Sequence, residues 1–262
     1  MKGCMMINDF GPDRIIWSAD VKAKELEEVI KSKALPEGTI IKLDRLFFEK
    51  YEKSYIDLCQ DNGYPVFVDA KIVEIPSKVL EIAKIYLDYR PWMLNVMAGA
   101  ASTGVTNRSF TRREEEIDCL MRFAELCDMY GTRSCAVTVL TTKTPDLCVQ
   151  EFRRGPEGQV KTYVKMLDFA GMTDIVCSPN EIKLIRKKMG ITDLDINTPG
   201  VRLPESATDD QARIATPHKA FSDGATRIIV GRPLTGTDEQ GPLVERIGIN
   251  YNRIIENIQI GK

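Results

Sequence analysis

The sequence predicts an α/β protein folded as a single (β/α)8 TIM barrel over residues 1–262. The chain has the length of one such barrel, which commonly runs to about 250 residues. Eight short apolar runs alternate with longer amphipathic stretches, and no repeat or change in composition divides the chain. A doubly wound sheet is the alternative, but it needs a glycine-rich turn after the first strand. Asp20-Val21-Lys22 follows that strand instead.

Eight apolar runs rich in branched and aromatic residues are predicted to be strands, because such side chains fit a pleated sheet. They cover residues 15–19, 39–43, a stretch that begins at Val66, 93–97, 134–140, 174–177, 193–197 and 227–230. The run at 193–197 is the weakest of the eight.

The stretches between the strands are predicted to be helices, as in residues 21–33, where Leu26, Val29 and Ile30 recur at helical spacing. Further helices are predicted from the second strand to about residue 60, at 75–88, 111–130, after Ser178-Pro179, at 216–224 and at 242–260. Residues 198–210 are polar and rich in turn residues, a pattern typical of a loop that closes over an active site.

The composition is that of a soluble globular protein and gives no electrostatic support for binding nucleic acid or membranes. Hydrophobic residues make up 43% and charged residues 28% of the chain, and the net charge is −2 without a basic block. No apolar run is long enough to span a membrane, and no signal peptide begins at Met1. Seven cysteines without a C-x-x-C pair predict reduced thiols and a cytoplasmic location. The single histidine, His218, provides too little for a triad or a histidine-rich metal site.

The third predicted strand ends in a pair of opposite charges, Asp69 and Lys71. Because side chains alternate along a strand, these two are expected to point the same way. A carboxylate and an ammonium at the end of a buried strand are costly to desolvate unless each finds partners. Alone, this pair indicates no more than a salt-bridged strand end.

Residues at the C-terminal ends of the other predicted strands favour a functional interpretation, because a barrel carries its functional groups at that face. These ends contribute Asp20, Lys42, Asp69 with Lys71, Thr141, Arg202, Gly231 and Arg232. Gly231 lets a backbone N–H approach a ligand closely, and Arg232 can hold an anion through two parallel hydrogen bonds. The second half of the chain therefore predicts a phosphate site, which barrels often carry after strands seven and eight.

A series of segments agrees in order and spacing with one enzyme family from about residue 15 to residue 244. The segments are Ser18-Ala19-Asp20, Ile41-Lys42-Leu43, Val68-Asp69-Ala70-Lys71, Glu74-Ile75-Pro76, Val137-Thr138-Val139-Leu140-Thr141, Val176-Cys177-Ser178-Pro179, Thr198-Pro199-Gly200-Val201-Arg202, Asp209-Asp210-Gln211 and Val230-Gly231-Arg232-Pro233. The chain resembles the orotidine 5′-phosphate decarboxylases, which complete de novo UMP synthesis. The resemblance implies a homodimeric barrel with sites at the subunit interface and neither a metal nor an organic cofactor.

The resemblance also implies residue roles for a nucleotide 5′-phosphate substrate. It places a lysine–aspartate–lysine–aspartate charge array on Lys42, Asp69, Lys71 and position 74, where this chain has Glu74. Lys71 would stabilise and then protonate the carbanion left at C6 of the pyrimidine. The substrate contacts fall on Asp20 at the ribose, on Lys42, on Thr141 at the pyrimidine, and on Arg202, Gln211, Gly231 and Arg232 at the phosphate.

Three positions depart from the family pattern. Glu74 replaces an aspartate, and the added methylene moves the carboxylate by about 1.5 Å. Lys78 stands where the family has a threonine that reaches the neighbouring subunit's site, and Met97 replaces a histidine at the end of strand four. The phosphate residues are all retained.

Three functional hypotheses therefore stay open: a divergent decarboxylase, a paralogue acting on another ribosyl 5′-phosphate, and a non-catalytic nucleotide binder. Related sugar-phosphate decarboxylases and aldolases, which use a Mg²⁺-stabilised enediolate, carry a glutamate near the position of Lys42. A lysine there would repel the metal, so this fourth interpretation is disfavoured.

Overall fold

The computed structural model describes residues 10–51, 53–99, 112–204 and 215–259. Eight parallel strands form a closed barrel in which each strand pairs with its neighbours in the sequence and β1 pairs with β8. The predicted (β/α)8 barrel is thus confirmed. The strands are β1 Ile15–Ser18, β2 Ile40–Asp44, β3 Val66–Ile72, β4 Met93–Met97, β5 Arg133–Val137, β6 Asp174–Val176, β7 Asp195–Thr198 and β8 Arg227–Val230.

Helices follow the strands and cover the outside of the barrel. They are α1 Ala23–Lys31, α2 Arg45–Lys50, α3 Ser54–Asp61, α4 Pro76–Leu87, α5 Arg112–Met129, α6 Pro145–Phe152, α7 Pro156–Phe169, α8 Pro179–Lys183, α9 Pro217–Asp223, α10 Arg232–Thr235 and α11 Leu243–Gln259. Proline opens several of them, because its missing N–H would be unsatisfied at that position anyway. Among the described helices, none has both the length and the apolar character needed to cross a membrane.

The predicted single helix after β2 is wrong, since two helices stand there. Asp44 caps α2 by accepting a hydrogen bond from the N–H of Phe47 at 2.9 Å. The helix ends at Lys50, and the backbone of the next residue, Tyr51, is extended (φ −129°, ψ 155°). The Tyr51 ring packs against Phe47 and Tyr55, with ring centroids 4.8 and 5.8 Å apart. This tertiary packing of aromatic rings accompanies a break that helical periodicity alone does not indicate.

Strand β5 is shorter than the predicted run at 134–140, because it ends at Val137. Both the N–H and the hydroxyl of Thr138 donate to the carbonyl of Val176, at 3.0 and 2.9 Å. The chain then turns, so Leu140 and Thr141 lie in the loop above the strand rather than within it.

Alternation of side chains divides the buried apolar residues into two layers. One lies between the strands and the helices, and the other fills the inside of the barrel. The inner layer consists of Ile16, Ile40, Phe67, Met93, Cys135, Val137, Val176 and Ile229. Two residues further along the first four strands, the inward positions are polar: Ser18, Lys42, Asp69 and Asn95. The apolar layer therefore forms a floor beneath a polar layer at the C-terminal mouth.

The N-terminal end of the barrel is closed by a separate charge network. Arg133 pairs with Asp174 at 2.8 Å and with Asp195 at 2.6 Å, and Arg227 pairs with the same carboxylates at 3.0 and 3.1 Å. Both guanidinium groups also lie over the Trp92 ring. Because these charges pair with one another, this end has a structural character and the candidate site lies at the other end.

Candidate active site

Two lysines converge on one carboxylate at the C-terminal mouth of the barrel. Lys42 Nζ and Lys71 Nζ each lie 2.7 Å from Oδ2 of Asp69. Lys42 and Asp69 are buried, whereas the Lys71 side chain is 43% exposed. The cluster therefore has a buried half, which holds the charges in place, and an open half, which is accessible from solvent.

The electrostatics of this cluster keep Asp69 ionised. Burial alone would raise the pKa of Asp69, because a carboxylate loses its hydration there. The charges of Lys42 and Lys71, together with their hydrogen bonds, outweigh that effect and hold the pKa well below its ordinary value. A fixed negative charge therefore stands beside the ammonium group of Lys71 at neutral pH.

Asn95 completes the cluster and was not among the residues predicted from the sequence. Its Nδ2 donates to Oδ1 of Asp69 at 2.7 Å, and its Oδ1 accepts from the backbone N–H of Lys71 at 2.7 Å. The one signal in the sequence is a lone amide in an otherwise apolar strand, Met93–Met97, at a position where alternation directs it inward.

The backbone at Lys71 departs from regular strand geometry. Lys71 has φ 46°, in the left-handed region that residues with a Cβ rarely adopt. The register between β3 and β4 also shifts between Val68 and Ile72. The Lys71 and Asp69 side chains do meet, as alternation predicts, but they do so across a bulge rather than along an ideal strand.

A cavity of about 200 Å³ opens beside the cluster. Its lining combines the three charged side chains with an apolar floor and a wall from the loops after β5 and β7: Ser18, Lys42, Phe67, Asp69, Lys71, Val137, Val139, Leu140, Thr141, Val176, Cys177, Pro199 and Ile229. Whole drug-sized ligands occupy roughly 300–1,000 Å³. The cavity is therefore smaller than such a ligand as a whole and has the size of a single ring.

The predicted ribose and phosphate residues lie at the ends of β1, β7 and β8. Asp20 is exposed and accepts a hydrogen bond from the Ser18 hydroxyl at 3.1 Å. A Cβ placed on Gly231 would lie 3.5 Å from Ser18 Cβ and 3.7 Å from Asp20 Oδ2, so these two strand ends adjoin. Arg232 opens α10 and is exposed, whereas Arg202 is buried.

Part of the predicted site lies outside the described residues. Gln211 is one such position, as are residues 205–210 of the predicted closing loop. Val201, in the described part of that loop, forms a short parallel bridge with Ala215, which lies beyond the loop. The N–H of Arg202 donates to the carbonyl of Ala215 at 3.0 Å.

Glu74 does not join the Lys42–Asp69–Lys71 cluster of its own chain. Its side chain is exposed and Oε1 accepts from the N–H of Ile75 at 3.0 Å. The flanking apolar residues, Val73 and Ile75, are 64% and 47% exposed. Lys78 is also exposed and pairs with Glu81 at 2.5 Å, which raises the pKa of Lys78.

A second cavity of about 670 Å³ lies against α6 and α7 and shares Val139 and Leu140 with the first. Val73 and Met97 belong to its lining, but the Lys42–Asp69–Lys71 cluster does not. We therefore assign the candidate chemistry to the smaller cavity. In the part of the chain that the structure describes, no cluster of histidine, cysteine, aspartate and glutamate side chains could hold a metal ion.

Comparison with known proteins agrees with this geometry. The model of the orotidine 5′-phosphate decarboxylase / HUMPS family matches residues 13–247. The chain belongs to this family. An orotidine 5′-phosphate decarboxylase of Staphylococcus aureus is 33% identical over 208 residues, which are 77% of this chain and 83% of the relative. The family assignment supports a decarboxylase-type lyase in general terms.

Two solved structures have the same barrel fold. An orotidine 5′-phosphate decarboxylase from Lactobacillus acidophilus superimposes with a TM-score of 0.69 at 26% identity, covering 93% of this chain and 98% of that protein. An uncharacterized conserved protein from Geobacillus kaustophilus gives a TM-score of 0.69 at 22% identity, covering 93% and 99% of the two chains. The second likeness bears on the fold alone.

Proposed function

We propose that this family member decarboxylates orotidine 5′-phosphate to UMP, without a metal or an organic cofactor, in pyrimidine nucleotide biosynthesis. The observation that carries the proposal is the Lys42–Asp69–Lys71 cluster beside a ring-sized cavity. A soluble, cytoplasmic protein remains the expectation from the sequence.

Lys71 is the proposed proton donor. When the bond between C6 and its carboxylate breaks, CO₂ departs and the electron pair stays on C6, where the pyrimidine ring cannot delocalise it as an enolate. An ammonium fixed beside C6 stabilises that charge and then transfers a proton to it. Lys71 regains its proton from water, to which its partly exposed side chain has access. The ionised Asp69 holds the Lys71 Nζ at 2.7 Å, beside the cavity that both side chains line.

Asp69 and Lys42 are proposed as the fixed frame around Lys71. Asp69 would lie next to the departing carboxylate, while Lys42 compensates the negative charge from the buried side. The 2.7 Å contact between them supports this arrangement, because preorganised charges act without reorganising during the reaction.

The remaining candidates are proposed to bind the substrate. Asp20 would contact the ribose and Thr141 the pyrimidine, with Lys42 beside them. The position of Thr141 in the cavity wall and the proximity of Gly231 to Asp20 support this orientation. The phosphate contacts are assigned to Arg202, Gln211, Gly231 and Arg232. Binding energy from this remote group can be used for orientation at C6.

Homodimerisation with shared sites is proposed for the β3–α4 loop. Glu74 is exposed between the exposed apolar residues Val73 and Ile75, and its carboxylate does not contact the cluster of its own chain. A surface of this kind suits an interface, in which Glu74 would enter the site of a second copy.

The decisive experiment compares native protein with Glu74→Asp on orotidine 5′-phosphate, alongside a dissociation constant for UMP. We expect measurable native turnover, and retained or raised kcat/KM in the variant, because the shorter acid restores the family's charge spacing. Tight UMP binding without native turnover would reject the decarboxylase and favour a paralogue for another ribosyl 5′-phosphate, or a non-catalytic binder.

A further inference from the structure

We infer that Asn95 is a positioning residue that sets the Lys71 backbone and the Asp69 carboxylate at the same time. The inference rests on the proposed function for its kinetic test, although its structural test does not. The Asn95 side chain is completely buried, and both ends of its amide bond to the end of β3. These two hydrogen bonds explain why an asparagine stands in an otherwise apolar strand.

The first contact explains how Lys71 keeps an unfavourable backbone conformation. Val68 lies opposite Leu94 and Ile72 lies opposite Val96, so three residues of β3 face the single residue Asn95. Regular ladder pairing is lost across this bulge. The Asn95 carbonyl oxygen accepts the Lys71 N–H at 2.7 Å and so replaces a missing ladder partner. It thereby offsets part of the cost of a left-handed φ at a residue with a Cβ.

The second contact fixes the direction of the Asp69 carboxylate. Oδ2 receives both lysines, while Oδ1 receives the Asn95 amide at 2.7 Å. With both oxygens engaged, rotation of the carboxylate would break one of these bonds. The Lys71 ammonium is therefore held on one side of Asp69, toward the cavity that it lines.

The amide satisfies both contacts at any pH, because one end accepts and the other donates. A carboxylate at position 95 has the same shape and accepts from Lys71, but when ionised it cannot donate to Asp69 and repels it. Two carboxylates in contact do not both ionise readily, so one of them keeps a proton to a higher pH. In its protonated form, the introduced carboxyl can donate to Asp69 as the native amide does.

The chain offers a matched control in Asn197. This buried asparagine on β7 also donates from Nδ2 to an aspartate, Asp174 Oδ1, at 3.0 Å. Its partner belongs to the charge network at the opposite end of the barrel. Asn197→Asp therefore makes the same chemical change away from the proposed site.

The kinetic test measures kcat on orotidine 5′-phosphate against pH for native protein, Asn95→Asp and Asn197→Asp. For Asn95→Asp we expect kcat at pH 8 to fall by about a hundredfold, in line with a displacement of about 1 Å at a reacting group. UMP affinity should stay within about threefold, and kcat should recover as the pH is lowered. Asn197→Asp should retain the native pH profile. A near-native kcat for Asn95→Asp at pH 8 and below would overturn the inference. A kcat that also rises on acidification in Asn197→Asp would overturn it as well.

A structural test separates failure of this inference from failure of the proposed function. If native protein does not turn over orotidine 5′-phosphate, the crystal structure of Asn95→Ala still decides the role of Asn95. We expect φ at Lys71 to return to negative values and the Asp69 carboxylate to rotate. Unchanged φ and an unchanged Lys71–Asp69 contact would overturn the inference. If Asn95→Ala does not fold, the crystal structure of the isosteric Asn95→Asp at pH 8 decides instead. The Asp69 carboxylate should rotate while φ at Lys71 stays positive, because the new carboxylate still accepts from the Lys71 N–H. An Asp69 carboxylate that keeps its native orientation would overturn the inference.

Discussion

The two lysines that pair with Asp69 are expected to respond very differently to replacement by alanine. Both lie 2.7 Å from the same oxygen, but Lys42 is buried and Lys71 is 43% exposed. Exposed ion pairs contribute about 0–1 kcal/mol to stability. Removing one partner of a buried pair costs about 3–5 kcal/mol. Because Asp69 keeps one lysine and Asn95 in either variant, the lower end of the second range applies to Lys42→Ala.

These figures translate into separable thermal shifts. For a chain of this size, about 1 kcal/mol corresponds to roughly 2–4 °C in Tm. We therefore expect Lys71→Ala to melt within about 4 °C of native protein and Lys42→Ala to melt about 6–12 °C lower. Lys31→Ala, which removes an exposed pair with Glu27 on α1, is the surface control.

Activity should separate the same variants in another way. Proton transfer by a positioned group contributes about 10²–10⁴ in rate, and electrostatic stabilisation adds about 10²–10³. Lys71→Ala should therefore lose at least about four orders of magnitude in kcat while UMP binding stays within about tenfold, because its role lies mainly in the transition state. The assays are turnover of orotidine 5′-phosphate, calorimetric UMP binding and thermal melting. A near-native rate in Lys71→Ala, or a melting loss equal to that of Lys42→Ala, would refute this reasoning.

Three further predictions concern the phosphate, the dimer and acid stability. Arg232→Ala should weaken binding of UMP far more than binding of uridine, and equal losses would show that Arg232 does not hold the phosphate. Mixing inactive Lys71→Ala with inactive Glu74→Ala should restore activity, because a heterodimer has one site with both native groups. A monomer by sedimentation, or no recovery despite verified subunit exchange, counts against shared sites. Because the pKa of Asp69 is lowered on folding, its stabilising contribution is present above the unfolded value of about 4 and is lost as pH falls through the folded value. The gap in unfolding free energy between native protein and Asp69→Asn should therefore be widest near neutrality and narrow below about pH 4. A gap that widens on acidification contradicts the lowered pKa.

Much of the fold follows from patterns within single segments. Branched and aromatic runs mark the strands, and the shortened β5 is a difference at an element end. The division of the predicted helix after β2 into α2 and α3 is the larger difference. Side-chain alternation along β3 correctly places Asp69 and Lys71 on one side. The charged pair Asp69 and Lys71 ends one strand, and Gly231 and Arg232 come after the last strand. These two features were enough to indicate which face of the barrel carries the candidate site.

The tertiary structure alone decided how the charges at that face are held. Asn95 and Asp69 belong to different strands, and their contact depends on the register of β4 against a bulged β3. The left-handed backbone at Lys71 likewise has no signal in its residue type, since lysine rarely adopts it. Alternation specifies which side of one strand a residue faces, but it does not specify how far that strand slides along the next. That offset is determined by closure and packing of the whole barrel. For this reason the sequence indicated only that Lys42 and Asp69 lie near each other, and not the hydrogen bond between them. The sequence likewise marked Asn95 as an inward-facing amide without showing its two partners.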